Sequence, residues 1–180
     1  MYQQFFGFDK MPFNNTPDTR FFFHSEQHQE ALSSLLYCVN ERKGFMLLTG
    51  EIGAGKTTVC RAFLNRLDPA TKVAVITNTR LTERQLLQSI CEEFGLWIPG
   101  NVGKVTLFNE LNTFLVDQYR QGANTVLIVD EAQNLRPEVL DEIRLISNLE
   151  TERDKLIQIV LMGQPELRDI VELPELKQLK

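Results

Sequence analysis

Gly50-Glu51-Ile52-Gly53-Ala54-Gly55-Lys56-Thr57 matches G-x-x-x-x-G-K-[ST] at every fixed position, directly after the apolar run Phe45 to Thr49 and directly before a helical pattern that carries Val59 to Leu67. Strand, glycine-rich loop, helix is the setting in which this pattern cradles phosphate. Successive backbone N–H groups point into a concavity, the helix N-terminus adds partial positive charge, and glycine lets the backbone approach phosphate oxygens with no Cβ in the way. Gly50, Glu51, Ile52, Gly53, Ala54, Gly55, Lys56, Thr57 and Thr58 are therefore expected to line a nucleotide-phosphate site. Lys56 is placed to bridge the β and γ phosphates, and Thr57 to hold Mg²⁺ through its hydroxyl.

A second segment, Val126-Leu127-Ile128-Val129-Asp130-Glu131, is an apolar strand ending in two adjacent acids, the form of a Walker B segment. At the carboxyl end of the strand Asp130 can orient a Mg²⁺-bound water, and Glu131, just beyond, can accept a proton from an attacking water. A buried carboxylate without a cation is costly, so the upstream loop and this acid explain one another. A small-molecule kinase uses its substrate hydroxyl as nucleophile and has no need of Glu131, so hydrolysis is favoured over phosphoryl transfer. Asp130-Glu131-Ala132-Gln133 also has the look of an RNA-helicase motif, but such enzymes grip a strand between two lobes, and this chain has room for one. Gln164 and Asn78 follow the fourth and second expected strands. Each is placed to meet a γ-phosphate, the attacking water or Glu131, and each could equally cap a turn.

The remaining sequence alternates strand and helix. Ser25 caps a helix with Ala31, Leu32, Leu35, Leu36 and Val39 on one face. Phe45 to Thr49 is expected to be a strand buried on both faces, followed by a strand over Lys72 to Thr77. Thr82 and Gln85 form a capping box for a helix ended by Gly95, and Leu107 to Leu115 mark another, ended near Gly122. Strands at Thr125 to Val129 and Leu156 to Met162 flank a helix over Val139 to Leu149, with Pro137 near its first turn. This order predicts an α/β fold: a P-loop NTPase three-layer α/β/α sandwich around a mostly parallel sheet. Residues 1–24 hold seven of the twelve phenylalanines among Pro12, Pro17 and Gly7, with no clean period, and are expected to form an irregular aromatic arm packed on a core of residues 25–180. The arm either covers a core edge or touches a nucleotide base. Trp97, in the loop before Lys104, is expected to pack on the core.

The chain has 180 residues and a mass of 20.7 kDa, enough for one domain with a small appendage. With 43% hydrophobic and 24% charged residues, a net charge of -5 and a pI near 5.2, it has the composition of a soluble globular chain and not of a general polyanion binder. Cys38, Cys60 and Cys91 lie in helical patterns without metal-ligand spacing and are expected to be buried thiols in a reducing compartment. No apolar stretch approaches a membrane span and no leader pattern opens the chain, so a cytoplasmic location is expected, without excluding an anchor elsewhere.

Beyond the phosphate loop, Asp130-Glu131-Ala132-Gln133-Asn134-Leu135 and Gly163-Gln164-Pro165-Glu166-Leu167, with Phe5-Phe6-Gly7-Phe8, Pro12-Phe13, Thr16-Pro17-Asp18, Glu41-Arg42-Lys43-Gly44-Phe45 and Ser147-Asn148-Leu149-Glu150-Thr151, give the chain a strong resemblance to the AAA+ ATPases of the general secretion pathway protein A (ExeA) type. The resemblance implies an ATP-hydrolysing, Mg²⁺-dependent motor that forms a homo-oligomer and works with a membrane-protein partner to place envelope structures such as secretion pores or pili. It also puts Gln164 at the sensor 1 position, Asn78 at the residue that restrains the catalytic Glu131, and the arm near adenine. Transposition-type ATPases that bind DNA are similar in their core and offer the alternative function, and a domain that binds nucleotide but scarcely hydrolyses it is a third. A complete AAA+ module carries a fifth strand beside the first and a helical lid with a sensor 2 arginine. Neither has sequence to form it here, so the chain is expected to be a truncated core with weak hydrolysis. Arg144 and Arg153 are the candidates for an arginine finger, against a plainer role as solvated helix-face charges.

Overall fold

The structure is a computed structural model that describes residues 2–8, 23, 25–98, 100 and 102–172. Chain order is α1 (Tyr2–Phe6), α2 (Glu26–Asn40), β1 (Phe45–Thr49), α3 (Lys56–Leu64), β2 (Lys72–Ile76), α4 (Glu83–Glu93), α5 (Lys104–Arg120), β3 (Thr125–Val129), a 3₁₀ turn at Ala132–Asn134, α6 (Pro137–Ser147), β4 (Gln158–Gly163) and α7 (Glu166–Val171). The strands form one parallel sheet in the order β1-β4-β3-β2. The expected strands and main helices are all present, with boundaries shifted by a few residues.

Side-chain alternation along the strands separates two apolar layers. Val126, Ile128, Val160 and Met162 face α2 and α3, meeting Leu32, Leu35, Val39, Val59 and Phe63. Leu127, Val129, Ile159 and Leu161 face the other way and join Leu86, Ile90, Leu111, Leu140 and Ile143 of α4, α5 and α6. The result is the expected α/β/α sandwich, with the central strands β3 and β4 buried along their whole length.

Local chemistry sets the helix ends. Ser25 accepts a bond from the His28 N–H and opens α2. Thr82 accepts from the Gln85 N–H at 3.3 Å while the Gln85 side chain accepts from the Thr82 N–H at 2.9 Å, the reciprocal box read from the sequence. Pro137 occupies the first turn of α6, where its missing N–H leaves nothing unpaired.

Several expectations need correcting. β1 is partly exposed and not buried on both faces, because among the described residues it lies at the sheet edge with no strand beyond it. Trp97 is 85% exposed, because Leu96 and Ile98 on either side turn inward against the core and an extended chain alternates its faces. In the arm, Tyr2–Phe6 is a short helix, and Phe5 (82% exposed), Phe6, Phe8 and Phe23 are not covered by the core. Phe5 instead meets Phe6 edge-on at 4.9 Å, and Phe6 lies 5.9 Å from Phe8. The expectations for Pro12, Phe13, Thr16, Pro17, Asp18, Arg20, Phe21 and Phe22 fall outside the described residues.

Candidate functional site

The carboxyl ends of β1, β4 and β3 sit side by side, so the loops that follow Thr49, Gly163 and Val129 open onto one edge of the sheet. In open α/β sheets ligands bind beyond the carboxyl ends of the strands, where the strand order reverses. The chain does reverse here, since β2 is laid at the far edge and β3 and β4 return to fill the gap beside β1.

The loop from Gly50 to Gly55 is held at both ends. The Gly50 N–H donates to the Gly163 carbonyl at 3.2 Å, and the Ala54 N–H closes a turn onto the Glu51 carbonyl at 3.1 Å. Gly53 and Gly55 adopt φ of +79° and +84°, left-handed conformations that a Cβ would strain. Gly55 is the N-cap of α3 and provides no side-chain cap. Among the described residues, the N–H groups of Gly53, Gly55, Lys56, Thr57 and Thr58 donate to no backbone carbonyl. A row of free amides at the start of a helix is the kind of surface that suits an anion. Lys56 folds over its mouth, its Nζ donating to the carbonyls of Gly50 at 2.7 Å and Glu51 at 3.1 Å.

His28 of α2 supports the loop from behind, a role the sequence did not reveal. Its Nε2 lies 3.0 Å from the Ala54 carbonyl and its Nδ1 3.0 Å from the Phe23 carbonyl. A carbonyl only accepts, so a neutral ring can donate to just one of the two at a time. A Cβ on Gly55 would lie 3.0 Å from the same Nε2, so that position is constrained by contact as well as by φ. Arg168 of α7 braces the other side, its Nε donating to Thr49 Oγ1 at 2.7 Å.

Asp130 stands at the end of β3, its N–H on the Ile76 carbonyl and its Oδ1 accepting from the Glu131 N–H at 2.9 Å. Cys60 of α3 is a buried thiol. That thiol is pushed up from an ordinary 9.0 to about 11, mainly by burial and further by the Asp130 charge. Thr57 lies in the first turn of α3 and Asp130 directly follows β3, so both stand at the carboxyl-end side of the sheet. Thr57 and Asp130 are hard oxygen donors of the kind Mg²⁺ takes together with phosphate and water, and they fit that ion. Among the described residues there is no cluster of three or more His, Cys, Asp or Glu able to hold a metal without such help.

Glu131 has φ 50° and ψ 39°, a left-handed conformation that costs a non-glycine residue about 1–2 kcal/mol. Its Oε2 accepts from Gln133 Nε2 at 2.6 Å, and Gln133 Oε1 accepts from the Gln164 N–H at 3.1 Å. Gln133 is the second residue the sequence did not reveal as part of the site. Gln164 is thereby brought into the site through its main chain. Asn78 directs its Oδ1 to the Arg80 N–H at 3.1 Å, the turn-capping bond open to it from the start. Arg144 pairs with Asp141 at 2.8 Å on α6, and the Arg153 N–H donates to Thr151 Oγ1, so each takes part in local structure.

A nucleotide-type phosphate loop, a strand ending in Asp-Glu and a parallel 1-4-3 strand core together define an AAA-type ATPase fold. Residues 39–171 match the AAA domain family, and the chain belongs to it. Over 179 residues the chain is 46% identical to General secretion pathway protein A of Aeromonas hydrophila, a match that covers 99% of this chain and 33% of that protein. The chain thus spans about a third of the length of that relative. Solved structures with the same fold include Cdc6p of Pyrobaculum aerophilum, with a TM-score of 0.62 and 19% identity over 90% of this chain and 46% of that one. The ORC2 protein of Aeropyrum pernix, determined as ADPNP–ADP complexes, has a TM-score of 0.63 and 16% identity over 86% of this chain and 45% of its own.

Proposed function

We propose that the chain is a Mg²⁺-dependent ATP-binding and ATP-hydrolysing module that couples nucleotide state to the assembly of a cell-envelope machine. The observation that carries the first half is the row of free amides at Gly53 and from Gly55 to Thr58, tied through Gly50 and Gly163 to the strand ends beside Asp130 and Glu131. The phosphates would lie on those amides, with Lys56 released from the Gly50 and Glu51 carbonyls to meet the β and γ oxygens. Thr57 and Asp130 would hold Mg²⁺, which when bound supplies positive charge against the triphosphate. Glu131 would take the proton from the attacking water, with Gln164 at the γ-phosphate end.

The assembly half rests on the identity with General secretion pathway protein A. From it we infer a homo-oligomer, a membrane-protein partner and a cytoplasmic position beside the membrane. Among the described residues no helix is long and apolar enough to cross a membrane. The alternative, a DNA-associated ATPase regulator, predicts ATP-dependent, salt-sensitive retention on duplex DNA.

The experiment is nucleotide binding by the Lys56→Ala variant. ATP affinity is expected to fall at least about 100-fold with an unchanged melting temperature, since among the described residues Lys56 bonds to loop carbonyls alone. Unaltered ATP binding would refute the assignment of the loop.

A further inference from the structure

We propose that Gln133 is a positioning residue that clamps the Glu131 carboxylate and ties it to the main chain of Gln164, so that the base and the γ-phosphate end of β4 move as one unit. The inference rests on the hydrolytic role of Glu131 proposed above. It starts from two hydrogen bonds on a single side chain: Nε2 to Glu131 Oε2 at 2.6 Å, and Oε1 from the Gln164 N–H at 3.1 Å.

The orientation of the amide is dictated by its partners. A carboxylate only accepts and a backbone N–H only donates, so the NH₂ must face Glu131 and the oxygen must face Gln164. No other side chain of this length offers a donor on one side and an acceptor on the other. Glu131 is also the residue whose backbone is held left-handed beside this contact. Such a conformation in a non-glycine residue persists where its surroundings over-determine it. Here they are the Glu131 N–H on Asp130 Oδ1, the turn bond from the Asn134 N–H to the Glu131 carbonyl, and the Gln133 amide.

A second observation comes from the end of the neighbouring strand β4. A Cβ on Gly163 would stand 2.4 Å from Gln133 Oε1 and 3.0 Å from Leu167 Cδ2, so only glycine leaves room for the amide to reach the Gln164 N–H. The carbonyl of the same Gly163 receives the Gly50 N–H. The phosphate loop, the end of β4, Gln133 and Glu131 thus form one continuous set of contacts. Displacement of Gln164 by the γ-phosphate end of a bound nucleotide is transmitted through a single amide to the base.

The test compares ATP turnover and ATP affinity of the 180-residue chain with those of Gln133→Leu, Gln133→Glu and Gly163→Ala. Loss of a hydrogen bond to a charged group predicts a fall in kcat of about 10- to 100-fold in Gln133→Leu, with ATP affinity held within about twofold. Gln133→Glu keeps the length but presents no donor to the carboxylate, and is expected to fall at least as far. Gly163→Ala displaces the amide from the other side and is expected to follow. The loss is expected in kcat alone, with ATP affinity kept, a split that a general weakening of the fold would not reproduce. Wild-type kcat in Gln133→Leu, or a fall in ATP affinity as large as the fall in kcat, would overturn the proposal. Should the parent chain bind no ATP, the functional reading fails, and Gln133 is judged by crystal structures of the parent and of Gln133→Leu. A Glu131 side chain that swings away and leaves positive φ upholds the clamp, and an unmoved Glu131 overturns it.

Discussion

At the scale of single residues the site depends on a few positions where the backbone leaves no choice. Gly55 has φ +84° and faces His28 Nε2, so Gly55→Ala adds strain and a close contact together. It is expected to cost about 1–2 kcal/mol of stability, read by urea denaturation, and to weaken ATP binding as the loop distorts. Glu131→Gln removes the proposed base and leaves the amide cradle intact. Turnover is expected to be abolished while ATP remains bound, as seen by phosphate release and equilibrium binding on the same sample, and turnover near the parent rate would exclude Glu131 as the base. The buried thiols make a third prediction. Burial, joined by the Asp130 charge at Cys60 and by Glu110 and Glu92 at Cys91, raises both to about 11 from an ordinary 9.0. A raised value in the folded chain means that the unfolded chain ionises first. Stability is therefore full below pH 9 and is lost as the pH climbs from 9 towards 11, by up to about 2 kcal/mol per thiol. Melting temperatures across that range should decline less steeply in Cys60→Ala, and parallel declines would show that other groups carry the effect.

At the scale of elements, most of the fold was legible because local chemistry and tertiary packing agree. The Thr82–Gln85 box, Pro137 and the β-branched run Thr125–Val129 each point to the element that forms. The misread elements are those whose environment is set by distant partners. β1 has the composition of a central strand but lies at an edge, and Trp97 has the apolar mass of a core residue on an outward step of the chain. Gln133 and His28 escaped for a related reason. Each is a polar side chain whose role exists only because another element comes within 3.1 Å, and no spacing in the sequence encodes that approach. The adjacent glycines, Gly163 and Gly55, were the available clue, since each lacks a Cβ at the point of contact. Lys104 at the start of α5 pairs with Glu142 of α6, whose side chain is 2% exposed and whose Oε1 has no partner. Lys104→Met is expected to destabilise the fold by roughly 1–3 kcal/mol, less than a fully buried pair because Lys104 is half open to water, and an unchanged denaturation midpoint would show that the pair contributes nothing.

At the scale of the whole molecule, the sheet order β1-β4-β3-β2 gathers both signature motifs at one edge, although some 80 residues of sequence separate Gly50 from Asp130. The glycine-rich loop and the acids after β3 stand out in the sequence because their chemistry is local: glycines that free amides, and carboxylates at the end of an apolar run. The aromatic arm was not legible in this way, since Phe5, Phe6 and Phe8 meet one another and they and Phe23 stay exposed. Everything proposed for function requires that Thr57 and Asp130 share one metal ion beneath a triphosphate seated on the amides around Gly55. The most direct measurement is a crystal structure of the chain with Mg²⁺ and a non-hydrolysable ATP analogue. The expected result is Mg²⁺ in contact with Thr57 Oγ1 and held by Asp130 directly or through one water, with the β-phosphate on the Gly53–Thr58 amides. A nucleotide bound elsewhere, or a metal that reaches only one of the two residues, would refute it.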